Sequence, residues 1–322
     1  MNVPRRLLLL LLLLLPACRG TASRPKTALL VQLNGQHGTQ FAGYYQAVEQ
    51  GYYAARGLEV SFVEGGMTQN GYVNPTTLLR SEEAPFAVLT FGEYQEIAQT
   101  SPTPLVVMGL FQISPVVLIS LHESEIRTLQ DTRGKRVAIF SEPESKIVHR
   151  ALHNVDMQPQ DIREVRLQNP SLENFYKQRV DVWAGSLLDE AVTAQLDGYR
   201  LNLIFPADYG ANTYEGLLVT TQEYAETHPA VVMDFVEATI QGWRYALENP
   251  KETTAVLQKW NPAHSSLYYE LGLDYLRPLV DTGEIPLGWI DYNRWRLAFD
   301  SPPPPDSPGY DMRYVEAAHT QE

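Results

Sequence analysis

The chain has 322 residues, with 25 Lys and Arg against 38 Asp and Glu for a formal net charge of −13, and a single cysteine. That acidic balance argues against nucleic acid as a partner, because phosphate binding demands basic patches. One cysteine leaves no disulfide to form, so the fold rests on its apolar core, which a chain of this length is large enough to build.

At the N-terminus, Arg5 and Arg6 precede an unbroken run from Leu7 to Leu15, followed by Pro16-Ala17-Cys18. A positive segment, an apolar segment and a small residue beside the cut make a signal peptide, and the run is shorter than the ~20 apolar residues that span a bilayer. A unique cysteine at the cleavage point makes it a lipoprotein signal over 1–17, with Cys18 as the lipidation site and 18–26 as a tether. More than one hydrocarbon chain on Cys18, palmitate included, would give stable anchoring where a single chain binds only marginally. The expected location is the extracytoplasmic face of the cell membrane. No second apolar run of spanning length follows residue 18.

Thr27 to Leu33 has strand composition, then come a Gly-rich turn and a helical stretch over 40–55. Leu58 to Val63 alternates as a strand does, Ala87 to Thr90 and Leu105 to Leu110 are short apolar runs, and Tyr94 to Gln99 reads as helix between them. A second set opens with Pro115 to Leu121 and continues through Val137 to Phe140, a helix from Glu144 to Asn154, Glu164 to Leu167, a helix over 172–178 and Val180 to Ala184. It closes with a helix over 187–196 and the strand Leu201 to Phe205. Leu217 to Thr221 is again strand-like. Beyond it Val232, Phe235, Val236, Thr239, Ile240, Trp243 and Leu247 keep one apolar face of a helix. Alternating strands and helices imply α/β architecture with a parallel sheet covered by helices. Two lobes, the second inserted in the first, account for the length: 27–114 with 215–300, and 115–214. From Ser301 the run Pro302 to Pro305 can neither pair in a sheet nor continue a helix, so 301–322 reads as an extended surface strap or loose tail.

Ser141 follows the strand at Phe140 and precedes Glu144 by three residues, a capping box with proline in the first turn. It has two readings: a well-started helix, or backbone N–H groups turned toward the crevice where α/β sheets bind ligands. Aromatic residues recur at turns and strand ends, at Phe91-Gly92, Trp183-Ala184-Gly185, Asp208-Tyr209-Gly210 and Tyr214. Rings held there can stack on a flat ligand or fill the core. Glu190, in the helix after Trp183, can accept from ring N–H groups or sit as a surface carboxylate. His149 and His153 lie i, i+4 on one helix, but no third ligand accompanies them, so no metal site is expected. Neither a Gly-x-Ser-x-Gly, a His-Glu-x-x-His nor a Walker loop is present, so neither enzyme activity nor a cofactor is expected.

The stretch Gln40-Phe41-Ala42-Gly43-Tyr44-Tyr45-Gln46-Ala47-Val48-Glu49-Gln50-Gly51-Tyr52-Tyr53, followed by Gly57-Leu58-Glu59-Val60, resembles the opening of substrate-binding proteins related to thiamine-pyrimidine synthase. Gly134 to Val137, Asp208 to Gly210 and Gly242 to Pro250 resemble later blocks in the same order, so the likeness runs over about 28–260. The resemblance implies a type II periplasmic-binding fold, two α/β lobes joined by a two-strand hinge with ligand in the interlobe cleft. It further implies an ABC importer's receptor for riboflavin or for formylaminopyrimidine, a thiamine precursor. The family's fungal synthase has a cysteine-rich iron motif that this chain lacks.

By position, the resemblance places ligand contacts at the first strand-to-helix turn, after Gly65 and Phe91, at Ser141, at the Trp183 strand end and in the Tyr209 to Tyr214 loop. The candidate ligand-binding residues are Gln40, Tyr44, Phe91, Ser141, Trp183, Glu190, Tyr209 and Tyr214. Of an Asn-Glu pair in relatives only the Glu is kept, in Asp189-Glu190. With 18 Tyr in the chain, the larger flavin plane is favoured over the single pyrimidine ring, on the argument that a bigger plane needs more stacking surface. The expected partners are a small-molecule ligand and a membrane permease, with the protein acting as a monomer. The alternatives are a pyrimidine-processing enzyme on the same scaffold and the sensing module of a receptor.

Overall fold

The computed structural model describes residues 26–68, 71–167, 171–299 and 301–320. The expected signal peptide, Cys18 and nearly all of the expected tether lie outside these residues. Twelve strands are found among them: β1 (Thr27–Gln32), β2 (Leu58–Val63), β3 (Gly66–Thr68), β4 (Gly71–Val73), β5 (Phe86–Leu89), β6 (Pro104–Phe111), β7 (Val116–Leu121), β8 (Arg136–Ala138), β9 (Arg163–Val165), β10 (Val182–Ser186), β11 (Leu201–Ile204) and β12 (Glu215–Thr221). They form a sheet of order β2-β1-β5-β12-β6, a second of order β11-β7-β10-β8-β9, and the hairpin β3-β4. Each large sheet is the centre of one lobe.

The sheets are mixed rather than parallel. β1 runs parallel to β2 and β5, and β8 parallel to β9 and β10. β12 is antiparallel to both its neighbours, and β7 to both of its own. The reason is the path of the chain: it crosses between lobes from β6 to β7 and again from β11 to β12, and each crossing reverses the strand that receives it. Asn212 ties the two crossings together, accepting from the Ser114 N–H at 2.9 Å and donating to the Gln112 carbonyl at 2.9 Å. Central strands such as β5 and β12 are buried along their whole length. Helices cover both faces, so such strands read as continuous apolar runs rather than alternating ones.

The block from Gln40 to Tyr53 is two helices, Ala42–Glu49 and Tyr52–Ala55, separated at Gly51, whose φ of 72° is left-handed. The first packs on the long helix Pro229–Glu248 at contact distance. A Cβ on Gly43 would meet the Trp243 ring at 2.2 Å, and one on Gly242 would meet the Gly43 carbonyl at 2.2 Å. Only glycine permits that approach. The expected apolar face of the long helix is the buried one, from Val232 through Trp243 to Leu247.

The C-terminal strap is only partly as expected. Around Pro302 to Pro305 the chain is irregular, but Arg313–Thr320 is a helix with Tyr314, Val315 and Ala318 buried. Between them the chain pairs with β6: Val106 N–H donates to Gly309 and Asp311 N–H to Val106, at 3.0 and 2.9 Å. β6 is the edge of its sheet, and an uncovered edge presents unpaired backbone groups. Covering that edge gives the segment its order. No helix among the described residues is long and apolar enough to cross a membrane.

Candidate ligand-binding cleft

A cleft of about 1410 Å³ runs between the lobes, lined from both sheets' strand ends and the helices that follow them. Two helix starts face each other across it. On the first lobe Thr90 caps Phe91–Ile97, its hydroxyl accepting from Glu93 N–H at 3.2 Å while the Glu93 carboxylate accepts from Thr90 N–H at 2.7 Å. On the second lobe Ser141 and Glu144 make the same reciprocal pair, at 3.3 and 3.0 Å, at the head of Glu142–His153. The second box is the one read from the sequence. The first, Thr90-Phe91-Gly92-Glu93, obeys the same spacing rule.

The cleft is rich in carboxylates. Glu215, at the start of β12, is buried and accepts from Phe91 N–H at 3.0 Å and the Thr213 hydroxyl at 2.8 Å. Burial pushes its carboxyl up to about 7 against those two donors, and the charge of Glu93 pushes the same way. Glu93 is likewise raised to about 7 by burial, opposed by Thr90 and Asn34, with Glu96 adding to the rise. Glu144 is raised by burial, less its bonds from Phe140 and Ser141. Glu215 and Glu93 therefore take up protons near neutral pH and can then either donate or accept.

His37, in the first turn, accepts or donates at Nδ1 with the Tyr45 hydroxyl at 2.7 Å, and its N–H donates to Glu64. Burial holds its ring below the usual histidine range despite Glu64. From the C-terminal half, His264 stacks on Tyr268 at 4.0 Å, and Tyr268 donates to Asp189 at 2.9 Å. Sequence reading missed both, because the helix Ser266–Val280 follows the last strand with no motif to mark it.

Of the eight candidate residues, Gln40, Phe91 and Ser141 line the cleft. Gln40 folds back over Gly35 and Gly38, so that a Cβ on Gly38 would lie 2.6 Å from its amide oxygen. Phe91 is buried, its ring edge-on to Trp295 and Phe299 at 5.4 and 4.9 Å. The other five are placed elsewhere. Tyr44 is fully buried, edge-on to Trp243 and Phe62. Trp183 is 1% exposed and lies against Phe140 at 4.5 Å. Tyr214 is buried, its hydroxyl accepting from Asp291 N–H while the Arg294 guanidinium lies 4.8 Å over its ring. Tyr209 is half-buried against the second lobe's own core and accepts from Leu129 N–H. Glu190 stands one residue behind the wall: it accepts from Ser186 N–H at 2.8 Å, and a Cβ on the wall residue Gly185 would come within 3.1 Å of its carboxyl. Burial and then the charge of Asp189 push Glu190 up to about 7.

His149 pairs with Glu164 at 3.1 Å. Among the described residues no group of three or more His, Cys, Asp or Glu could hold a metal ion.

A family model described as NMT1/THI5 like matches residues 38–253. Riboflavin-binding protein RibY of Chloroflexus aurantiacus is 28% identical over 220 residues, which is 66% of this chain and 60% of that protein. The formylaminopyrimidine-binding protein of Halalkalibacterium halodurans is 25% identical over 313 residues, 89% of this chain and 93% of its own. Among solved structures, the periplasmic aliphatic sulphonate binding protein SsuA from Escherichia coli superposes with a TM-score of 0.65 at 18% identity, covering 78% of this chain and 84% of SsuA. At that identity the likeness is one of fold: the two-lobed type II periplasmic-binding architecture.

Proposed function

The chain belongs to the NMT1/THI5-like family, and on that premise we propose that it is the extracytoplasmic receptor of an ABC importer, holding a planar nitrogen heterocycle in the interlobe cleft. The observation that carries this is the pair of opposed helix starts, Thr90 to Glu93 and Ser141 to Glu144, each with a carboxylate pinned by its own backbone at the cleft wall. Groups already held in place lose little freedom when a ligand's ring nitrogens meet them, which favours binding. In this reading the lobes divide at residues 114 and 215, Cys18 carries the lipid, and the protein acts as a monomer with a membrane permease. The cleft binds its ligand and releases it unaltered.

Riboflavin is the first candidate ligand. Its support is the likeness to RibY and a cleft large enough for three fused rings; the count of tyrosines no longer weighs, since Tyr44 and Tyr214 are core. Formylaminopyrimidine is the second, favoured by a match that spans nearly all of its binding protein. Purified mature protein titrated into riboflavin is expected to quench the flavin fluorescence stoichiometrically. No quenching together with calorimetric binding of formylaminopyrimidine selects the second ligand. Binding of neither, or turnover of either, overturns the proposal.

A further inference from the structure

Five large apolar side chains are markedly exposed among the described residues, and two of them, Met67 at 68% and Tyr72 at 61%, line the cleft. They are directly opposed in the β3-β4 hairpin. Side chains of directly opposed residues stand on the same face of the ribbon, so the thioether and the phenol form one continuous apolar surface.

The root of that surface is fixed. Gln36 donates to the Met67 carbonyl at 2.8 Å. Gly65 and Gly66 lie so close to the first turn that a Cβ on either would come within 2.1 Å of the Leu33 carbonyl or 2.8 Å of the Asn34 carbonyl. The hairpin is thereby bound to the same turn that supplies Asn34, His37 and Gln40 to the cleft.

Several other rings of the wall are already engaged. Phe91 meets Trp295 and Phe299, Tyr268 is stacked on His264, and His37 lies against Tyr45 and Trp260. Tyr72 has no ring contact among the described residues. Glu93 and Glu96 line the same cleft as Tyr72, and burial first, then their charges, raise its hydroxyl above the usual phenol range.

We propose that Tyr72 and Met67 are the face on which the flat ring of the ligand lies, with an N–H-bearing edge of that ring turned to Glu93. This rests on the proposed function and adds to it the residues that select for a flat ligand. A phenol and a thioether favour an electron-poor ring laid against them. The neighbouring carboxylates accept from N–H or amino groups and repel an anionic ligand such as a sulfonate.

The test is a set of single substitutions titrated with riboflavin by fluorescence and with formylaminopyrimidine by calorimetry. Tyr72→Ala is expected to weaken binding by roughly tenfold and Met67→Ala by about threefold, the scale of one lost stacking contact and one lost thioether contact. Tyr72→Phe is expected to keep the affinity within about threefold, because the ring face is retained. The thermal midpoint should be unchanged in all three, since both side chains are exposed. Tyr72→Ala that binds as tightly as the parent protein overturns the inference and leaves the proposed function standing. A parent protein that binds neither compound overturns both. An anionic sulfonate bound more tightly than either heterocycle overturns the assignment of the acidic wall.

Discussion

Gly92 on the first lobe lies against Pro143 on the second so closely that a Cβ at Gly92 would sit 2.7 Å from the proline ring. The two opposed helix starts therefore touch at one point of the cleft, and the absence of a side chain there is what lets them. Gly92→Val is expected to act as a wedge. A receptor whose closed state is depleted binds more weakly in proportion, so the affinity for riboflavin or formylaminopyrimidine should fall by about tenfold or more. Small-angle scattering should show a larger radius of gyration with the fold retained. A variant as compact and as tight-binding as the parent would remove this contact from the closed state.

Two further contacts cross the cleft. Arg150 donates to the Leu297 and Ala298 carbonyls at 3.3 and 3.1 Å, and Tyr268 donates to Asp189. Each bond contributes ~1 kcal/mol net. Arg150→Ala with Tyr268→Phe is expected to speed ligand release by about a hundredfold, from roughly 3 kcal/mol of lost closure over the three bonds, with ligand preference unchanged. Stopped-flow displacement checks this, and an unaltered release rate would show that the contacts do not hold the lobes together.

Trp183 is packed inside the second lobe, not on the cleft surface. Trp183→Ala is expected to destabilise the protein by about 3–5 kcal/mol, the range for emptying a buried aromatic site. Urea unfolding measures it. Loss of binding without loss of stability would instead make Trp183 a ligand contact.

The carboxyl of Glu215 is raised from 4.5 to about 7 in the folded chain. Between those values the unfolded chain has released the proton and the folded chain still holds it, so stability falls as pH rises through this window and levels off above it. Glu93 adds to the same slope. Urea midpoints from pH 4.5 to 8 are expected to decline, and Glu215→Gln should flatten part of the decline. A parent protein whose midpoint rises over that range would contradict the raised carboxyls.

Much of the architecture was legible in the residues. The strand Leu58 to Val63 is found at the expected bounds, and the helix begun at Ser141 and Pro143 carries its capping box, because period and cap chemistry are local. Strand direction was not legible. β12 looks like any apolar strand, and that it runs antiparallel follows from which lobe the chain has just left. The Pro-rich run at 302–305 reads as a break, and it is one, but the pairing of Gly309 and Asp311 with an edge strand some two hundred residues earlier has no local signature.

The aromatic candidates mark the limit most clearly. A ring beside a strand-end glycine reads the same whether it faces a cleft or a core. Trp183 and Tyr214 turned inward, while Tyr72, in a segment with no striking pattern, stands in the cleft. Composition, local periodicity and the block from Gln40 to Tyr53 were enough to determine the α/β class, the family likeness and the helix starts, since each depends on neighbours within a few residues. Which side chains line the cleft was decided only by the packing of two sheets and the chain's two crossings, because burial is set by contacts between residues far apart in sequence.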